Sequence, residues 1–143
     1  MGNNASIRMI VKQTADGATD SSELFTKGEF REHGDSFFID YDESEATGYE
    51  GSHVQLRIGQ QDETITMTRT GKAFSSLIFE NGKRHFCHYG TEYGDCMIGI
   101  STNEMRNGIS GDGGEIYVRY TIDVNSGLML TNEITIHVKP HEA

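Results

Sequence analysis

GEIYVRYTIDV, running from Gly114 to Val124, decides the fold. Ile116, Val118, Tyr120, Ile122 and Val124 share one parity, and Glu115, Tyr117, Arg119, Thr121 and Asp123 share the other. A period of two with one apolar and one polar register is a strand with one dry face and one wet face. The stretch NEITIHVK, Asn132 to Lys139, repeats the pattern, with Ile134, Ile136 and Val138 opposed to Glu133, Thr135, His137 and Lys139. Asn125-Ser126-Gly127 lies between the two runs. Asn and Gly tolerate the positive φ that tight turns need, so the pair reads as an antiparallel hairpin.

Working outward, the same period recurs along the chain. Ile7, Met9 and Val11 alternate with Arg8, Ile10 and Lys12, and Leu24, Thr26, Gly28 and Phe30 alternate with Phe25, Lys27, Glu29 and Arg31. Phe37, Ile39 and Tyr41 share a face, as do Val54, Leu56 and Ile58; Ile65 and Met67, Leu77 and Phe79, Phe86, then Ile98 and Ile100 follow. Turn signals separate the runs at Asp16-Gly17, His33-Gly34-Asp35, Gly59 to Asp62, Asn81-Gly82, Gly90 to Gly94 and Gly111 to Gly114. The best short helical candidates are Thr70 to Ser76 and Thr102 to Gly108. A flat sheet of so many strands would leave its apolar face wet and its edges unpaired, and closure solves both problems. The expectation is an all-β fold, a closed antiparallel up-and-down barrel of about eight to ten strands. It forms one domain over residues 1–143, with an ordered core from about residue 5 to 139.

Composition narrows the partners. The 143 residues carry 12 Lys and Arg against 22 Asp and Glu, a formal charge of −10, and no basic cluster. Binding to phosphate backbones or anionic membranes rests on basic patches, so neither nucleic acid nor a membrane is an expected partner. The plain role of the charge is solubility. The N-terminal MGNNASIRMIVKQ has no long apolar run, and no apolar stretch approaches the roughly 18 residues of a membrane span. Gly2 and Ser6 fit a loose myristoylation pattern, but Ser6 leads straight into a strand. The expected compartment is the cytoplasm.

Reactive side chains form no constellation. Cys87 and Cys96 would fall opposite each other if Thr91-Glu92 were the tip of their hairpin, yet in a reducing compartment they are expected as free thiols. His85 and His88 lie three apart and point to opposite faces of a strand, so one zinc would not take both. Asp40, Asp42, Glu43 and Glu45 lack the calcium-loop pattern, and the glycines of Ser110 to Gly114 precede no helix and no Lys. No metal, no cofactor and no catalytic residue is assigned.

Strand parity does single out five polar residues. Tyr41 and Glu43 continue the face of Phe37 and Ile39, and Arg69 continues that of Ile65 and Met67. Tyr120 lies within the dry face of its strand, and Asn132 continues the face of Leu128, Leu130 and Ile134. A buried charge is tolerable only when paired and hydrogen-bonded, and a Glu43–Arg69 pair near Tyr120 or Asn132 would meet that demand. The set reads either as a structural network near a barrel end or as the polar end of a ligand pocket.

Several stretches make the chain resemble the YwiB-like family, small bacterial β-barrel proteins classed as a domain of unknown function. These are FFIDYDE at Phe37 to Glu43, TMTRTG at Thr66 to Gly71, FENG at Phe79 to Gly82, YGDCMIGIST at Tyr93 to Thr102, GEIYVRYTID at Gly114 to Asp123 and NEITIHVK at Asn132 to Lys139. The resemblance implies a calycin-like barrel, the broad group of lipocalins and fatty-acid-binding proteins, and carries no catalytic residue. Tyr41, Glu43, Arg69 and Gly71 sit in its most recognisable patches. The Gly-x-Trp signature of lipocalins is missing, since the chain has no Trp. The expected function is non-enzymatic binding of a small amphipathic ligand inside the barrel. The alternatives are a protein–protein interaction module with a solidly packed barrel, including a homodimer, and an enzyme using Glu43 and Arg69.

Overall fold

A computed structural model describes residues 4–43, 50–60, 63–71, 73–91, 94–124 and 128–141. Ten strands follow one another: β1 (Ala5–Ala15), β2 (Ala18–His33), β3 (Ser36–Asp42), β4 (His53–Gly59), β5 (Thr64–Thr70), β6 (Ser75–Glu80), β7 (Arg84–Thr91), β8 (Gly94–Asn107), β9 (Gly114–Val124) and β10 (Leu128–Pro140). Each pairs antiparallel with its neighbours in sequence, and β1 returns to β10, so the sheet closes as an up-and-down barrel. The closing ladder runs from Ala5–Pro140 to Thr14–Thr131.

The alternation in the sequence becomes the inside and outside of this barrel. Ile7, Ile39, Leu56, Ile58, Ile65, Phe79, Ile100 and Ile116 face inward and are almost wholly buried. Phe30 and Phe37 stack at 5.6 Å between ring centroids across β2 and β3. Other inward-facing apolar residues, Val11, Leu24, Met67, Ile122 and Val124, are only partly buried, although Ile122 and Met67 pair directly with the buried Ile100 and Leu56. Burial of the inward faces is therefore uneven, complete at most positions and partial at these five.

Two glycines show how tightly the backbone is specified. Asp16 and Gly17, with φ of 51° and 79°, form the two-residue turn between Ala15 and Ala18. Positive φ at both positions matches the right-handed twist of the flanking strands. Gly28 stands where β2 leaves its ladder with β1 and begins its ladder with β3 at Glu29. A Cβ there would lie 2.1 Å from the Asp40 carbonyl oxygen and 2.8 Å from Ile7 Cδ1.

Four readings of the sequence are corrected. Among the described residues there is no helix: Thr70 ends β5, Ser75 and Ser76 begin β6, and Thr102 to Asn107 continue β8. A register shift between Thr102 and Glu104 breaks the alternation in that last segment, which is why it mimicked a helical period. Phe86 is 67 % exposed, because the inward parity of β7 belongs to Cys87. The Arg84 guanidinium covers the Phe86 ring at 4.4 Å and donates to both carboxylate oxygens of Asp123, at 3.1 and 2.7 Å. The cysteines are not opposite each other either, since Cys96 faces Tyr89 and Cys87 faces Ile98. Cys87 is buried, Cys96 is exposed and both are free thiols.

The seam between β6 and β7 is the thinnest in the sheet, with ladder pairs only at Ser75–Tyr89 and Ser76–His88. Beyond them the Ile78 N–H donates to Cys87 Sγ at 3.3 Å. The following turn bonds across to β8 instead, Gly82 N–H to the Thr102 carbonyl and Thr102 N–H to the Lys83 carbonyl.

Gly28→Ala is expected to destabilise the barrel by about 2–3 kcal/mol through overpacking at the β2–β3 junction. Gly111→Ala, where a Cβ meets nothing within 4 Å, should stay within about 0.5 kcal/mol of the parent. Urea denaturation of both variants checks this, and equal losses would refute the close approach at Gly28.

Candidate functional site

The five polar residues chosen by parity all lie on inward-facing positions. Tyr41, Glu43, Tyr120 and Asn132 are buried, and Arg69 is half-buried. Glu43 stands one residue past β3, but its N–H donates to the Ser52 carbonyl at 2.8 Å and extends the β3–β4 ladder. That extension keeps the inward parity of Ile39 and Tyr41 and sends the carboxylate into the barrel. Val54 pairs with both Tyr41 and Arg69, so the phenol and the guanidinium belong to one cross-strand row. Arg69 Nε and Nη2 donate to Glu43 Oε1 at 3.3 and 3.1 Å. The Glu43 side chain is 2 % exposed and that of Arg69 18 %.

Both bonds reach the same carboxylate oxygen. The other, Oε2, is buried without a hydrogen-bond partner, and so is Ser52 Oγ on the neighbouring strand. Gly71, at φ 114°, lies against Ser52, and a Cβ there would be 2.8 Å from Ser52 Cα and from the Gly51 carbonyl oxygen. A side chain at residue 71 would press on the wall that carries Ser52. Burial pushes the Tyr41 hydroxyl far above its usual pKa, and Glu43 adds to the rise while Arg69 opposes it. Tyr120 is pushed up in the same way, by burial first and Tyr89 second, again opposed by Arg69. Both phenols therefore remain protonated donors at neutral pH. The Tyr120 ring lies 4.7 Å from that of Phe79, where the polar end meets the packed core. Asn132 pairs with Tyr120 and with Gln13.

Four further inward polar residues escaped the sequence reading: Ser52, Ser75, Tyr89 and Thr102. Ser75 Oγ accepts the Gly90 N–H at 3.2 Å, and Thr102 Oγ1 is buried without a partner. Ser52 and Tyr89 share parity with Val54 and Cys87, so the alternation did contain their signal. Glu45 lies outside the described residues, as do Glu92, Tyr93 and Asn125 to Gly127.

On the outer face of the same strand ends, His53 bridges two carboxylates. Its Nε2 lies 2.9 Å from Asp40 Oδ1 and its Nδ1 2.9 Å from Asp42 Oδ1. Gln55 Nε2 donates to Asp40 Oδ1 at 3.1 Å, and Arg31 Nη2 lies 3.8 Å from Asp40 Oδ2. The bonds to Asp42 and then Asp40 raise the His53 pKa above its usual 6.5. His85 pairs with Glu80 and His88 with Asp95. Among the described residues no group of three or more His, Cys, Asp or Glu side chains is placed to hold a metal ion, and no helix is long and apolar enough to cross a membrane.

The family model of DUF1934, a domain of unknown function, matches residues 7–136. The fold is similar to the crystal structure of the ywiB protein from Bacillus subtilis. The TM-score is 0.84 at 15 % identity, over 99 % of this chain and 94 % of that one. No curated protein matches the sequence.

Arg69→Met should cost about 3–5 kcal/mol, because it strands the Glu43 carboxylate inside the barrel. Adding Glu43→Gln should recover part of the loss, with a coupling above about 0.5 kcal/mol in a double-mutant cycle by urea denaturation. Strict additivity would mean that the pair does not act as a unit. His53 makes a second prediction, from its folded-state pKa above 6.5. Its stabilising effect is complete below that value and is lost as pH climbs through the raised pKa. The melting-temperature gap between the wild type and His53→Gln should be wide in mild acid and narrow in mild alkali. A gap that widens with rising pH would contradict the bridge.

Proposed function

The chain belongs to the DUF1934 family, and from that premise we propose that it is a cytoplasmic, non-enzymatic barrel that binds a small amphipathic ligand in its interior. The observation that carries this reading is a set of partly exposed apolar side chains on the same inward strand faces as the polar cluster, Met67 beside Arg69 on β5 and Ile122 beside Tyr120 on β9. Val11, Leu24, Met67, Ile122 and Val124 offer the apolar wall. Glu43, Arg69, Tyr41, Tyr120 and Asn132 offer the polar end. A mostly apolar cavity with a few convergent polar groups is the usual design of a small-molecule site.

An enzymatic role for Glu43 and Arg69 is less well supported. Each holds the other, and among the described residues no nucleophile joined to a base and an orienting group stands beside them. A packed barrel acting only as an interaction module would leave the accessible apolar wall without a use. The free thiols Cys87 and Cys96 suit a reducing compartment.

Titration with Nile red, a neutral polarity-sensitive dye, tests the reading. The wild type should saturate with bound dye. Met67→Trp, which enlarges a partly exposed inward side chain, should weaken binding about tenfold, or roughly 1.4 kcal/mol. Thr68→Trp, on the outer face of the same strand, should leave it unchanged. Absence of dye binding, or equal effects of the two substitutions, would refute an interior site.

A further inference from the structure

We propose that the interior site selects an uncharged head group bearing an O–H or N–H donor, and excludes carboxylate and phosphate amphiphiles; this rests on the ligand-binding reading above.

Arg69 is the cation that an anionic head group would seek, and it is already engaged. Two of its donors meet Glu43 Oε1 at 3.3 and 3.1 Å. The Glu43 side chain is 2 % exposed, so water does little to screen this pair. The two formal charges cancel. An incoming carboxylate would put two anions against one guanidinium in a place from which water is largely excluded. Like charges under those conditions strongly disfavour one another. The anion is therefore disfavoured.

The open valence of the site is of the opposite kind. Glu43 Oε2 is buried with no hydrogen-bond partner, and an ionised carboxylate oxygen can only accept. Ser52 Oγ, beside it across the β3–β4 ladder, also lacks a partner. A ligand donor that reaches Oε2 relieves a buried, unsatisfied lone pair, which an alkyl group or a second anion cannot do. Tyr41 and Tyr120 supply the complement. Their hydroxyls stay protonated and can donate, so a head group with both donor and acceptor character suits this polar cluster better than a pure acceptor. An alcohol or an amide has this character, and a carboxylate has only half of it.

Competition against Nile red with three amphiphiles of equal chain length tests the inference: decan-1-ol, decanoate and decyl methyl ether. At neutral pH decan-1-ol should displace the dye at least tenfold more effectively than decanoate and more effectively than the ether, which has no donor. Glu43→Gln should reverse the order, since it leaves the guanidinium beside a neutral amide, and decanoate should gain at least tenfold. Decanoate equal to or better than decan-1-ol on the wild type would overturn the head-group inference and leave the binding reading intact. An ether as effective as the alcohol would overturn the donor requirement. Dye that none of the three displaces would overturn both. Circular dichroism establishes that the Gln variant is folded. If it is not, the ranking on the wild type decides alone.

Discussion

The ladder between β1 and β10 is the interaction on which the rest of the molecule depends. Without it the meander would be an open sheet with two long unpaired edges and an apolar face in water. With it every strand has a partner on each side and the apolar parity has one shared interior. Closure also makes parity absolute, because a slip of one residue would turn a whole strand inside out. The burial of Ile7, Ile136 and Val138 along this ladder resists such a slip.

Against that background the Glu43–Arg69 pair is the interior's principal departure from hydrocarbon. Removing two charges from water costs several kcal/mol per ion, and only good geometry offsets it. The two bonds converge on one oxygen and leave the other bare, so the geometry is adequate without being saturated. Apolar residues of similar volume would fill the space at less cost.

The inward direction of Tyr41, Glu43, Arg69, Tyr120 and Asn132 was legible in the sequence because a period of two is a local property. It needs no knowledge of which strands pair. What remained hidden depended on partners distant in the chain or on breaks in that period. The face of Phe86 is settled by Arg84, which is anchored to Asp123 on β9. The offset of Cys87 from Cys96 follows from the hairpin register, in which Thr91 pairs with Gly94. The helical look of Thr102 to Gly108 came from a bulge, which shifts parity by one residue and imitates a longer period. Ser52 and Tyr89 were missed for another reason: each lies at the end of its apolar run, where a single polar residue is inconspicuous.

The sulfur in the β6–β7 seam gives the barrel wall an uneven stiffness. A thiol is a weak acceptor compared with a peptide carbonyl, and the ladder there has already thinned to its pairs at Ser75 and Ser76. Local opening begins where backbone bonding is sparsest. Thermal breathing of this cylinder is therefore concentrated along one line of its wall, beside Leu77 and Cys87. The closed cylinder is thus firmest along its closing ladder and softest along the line between β6 and β7.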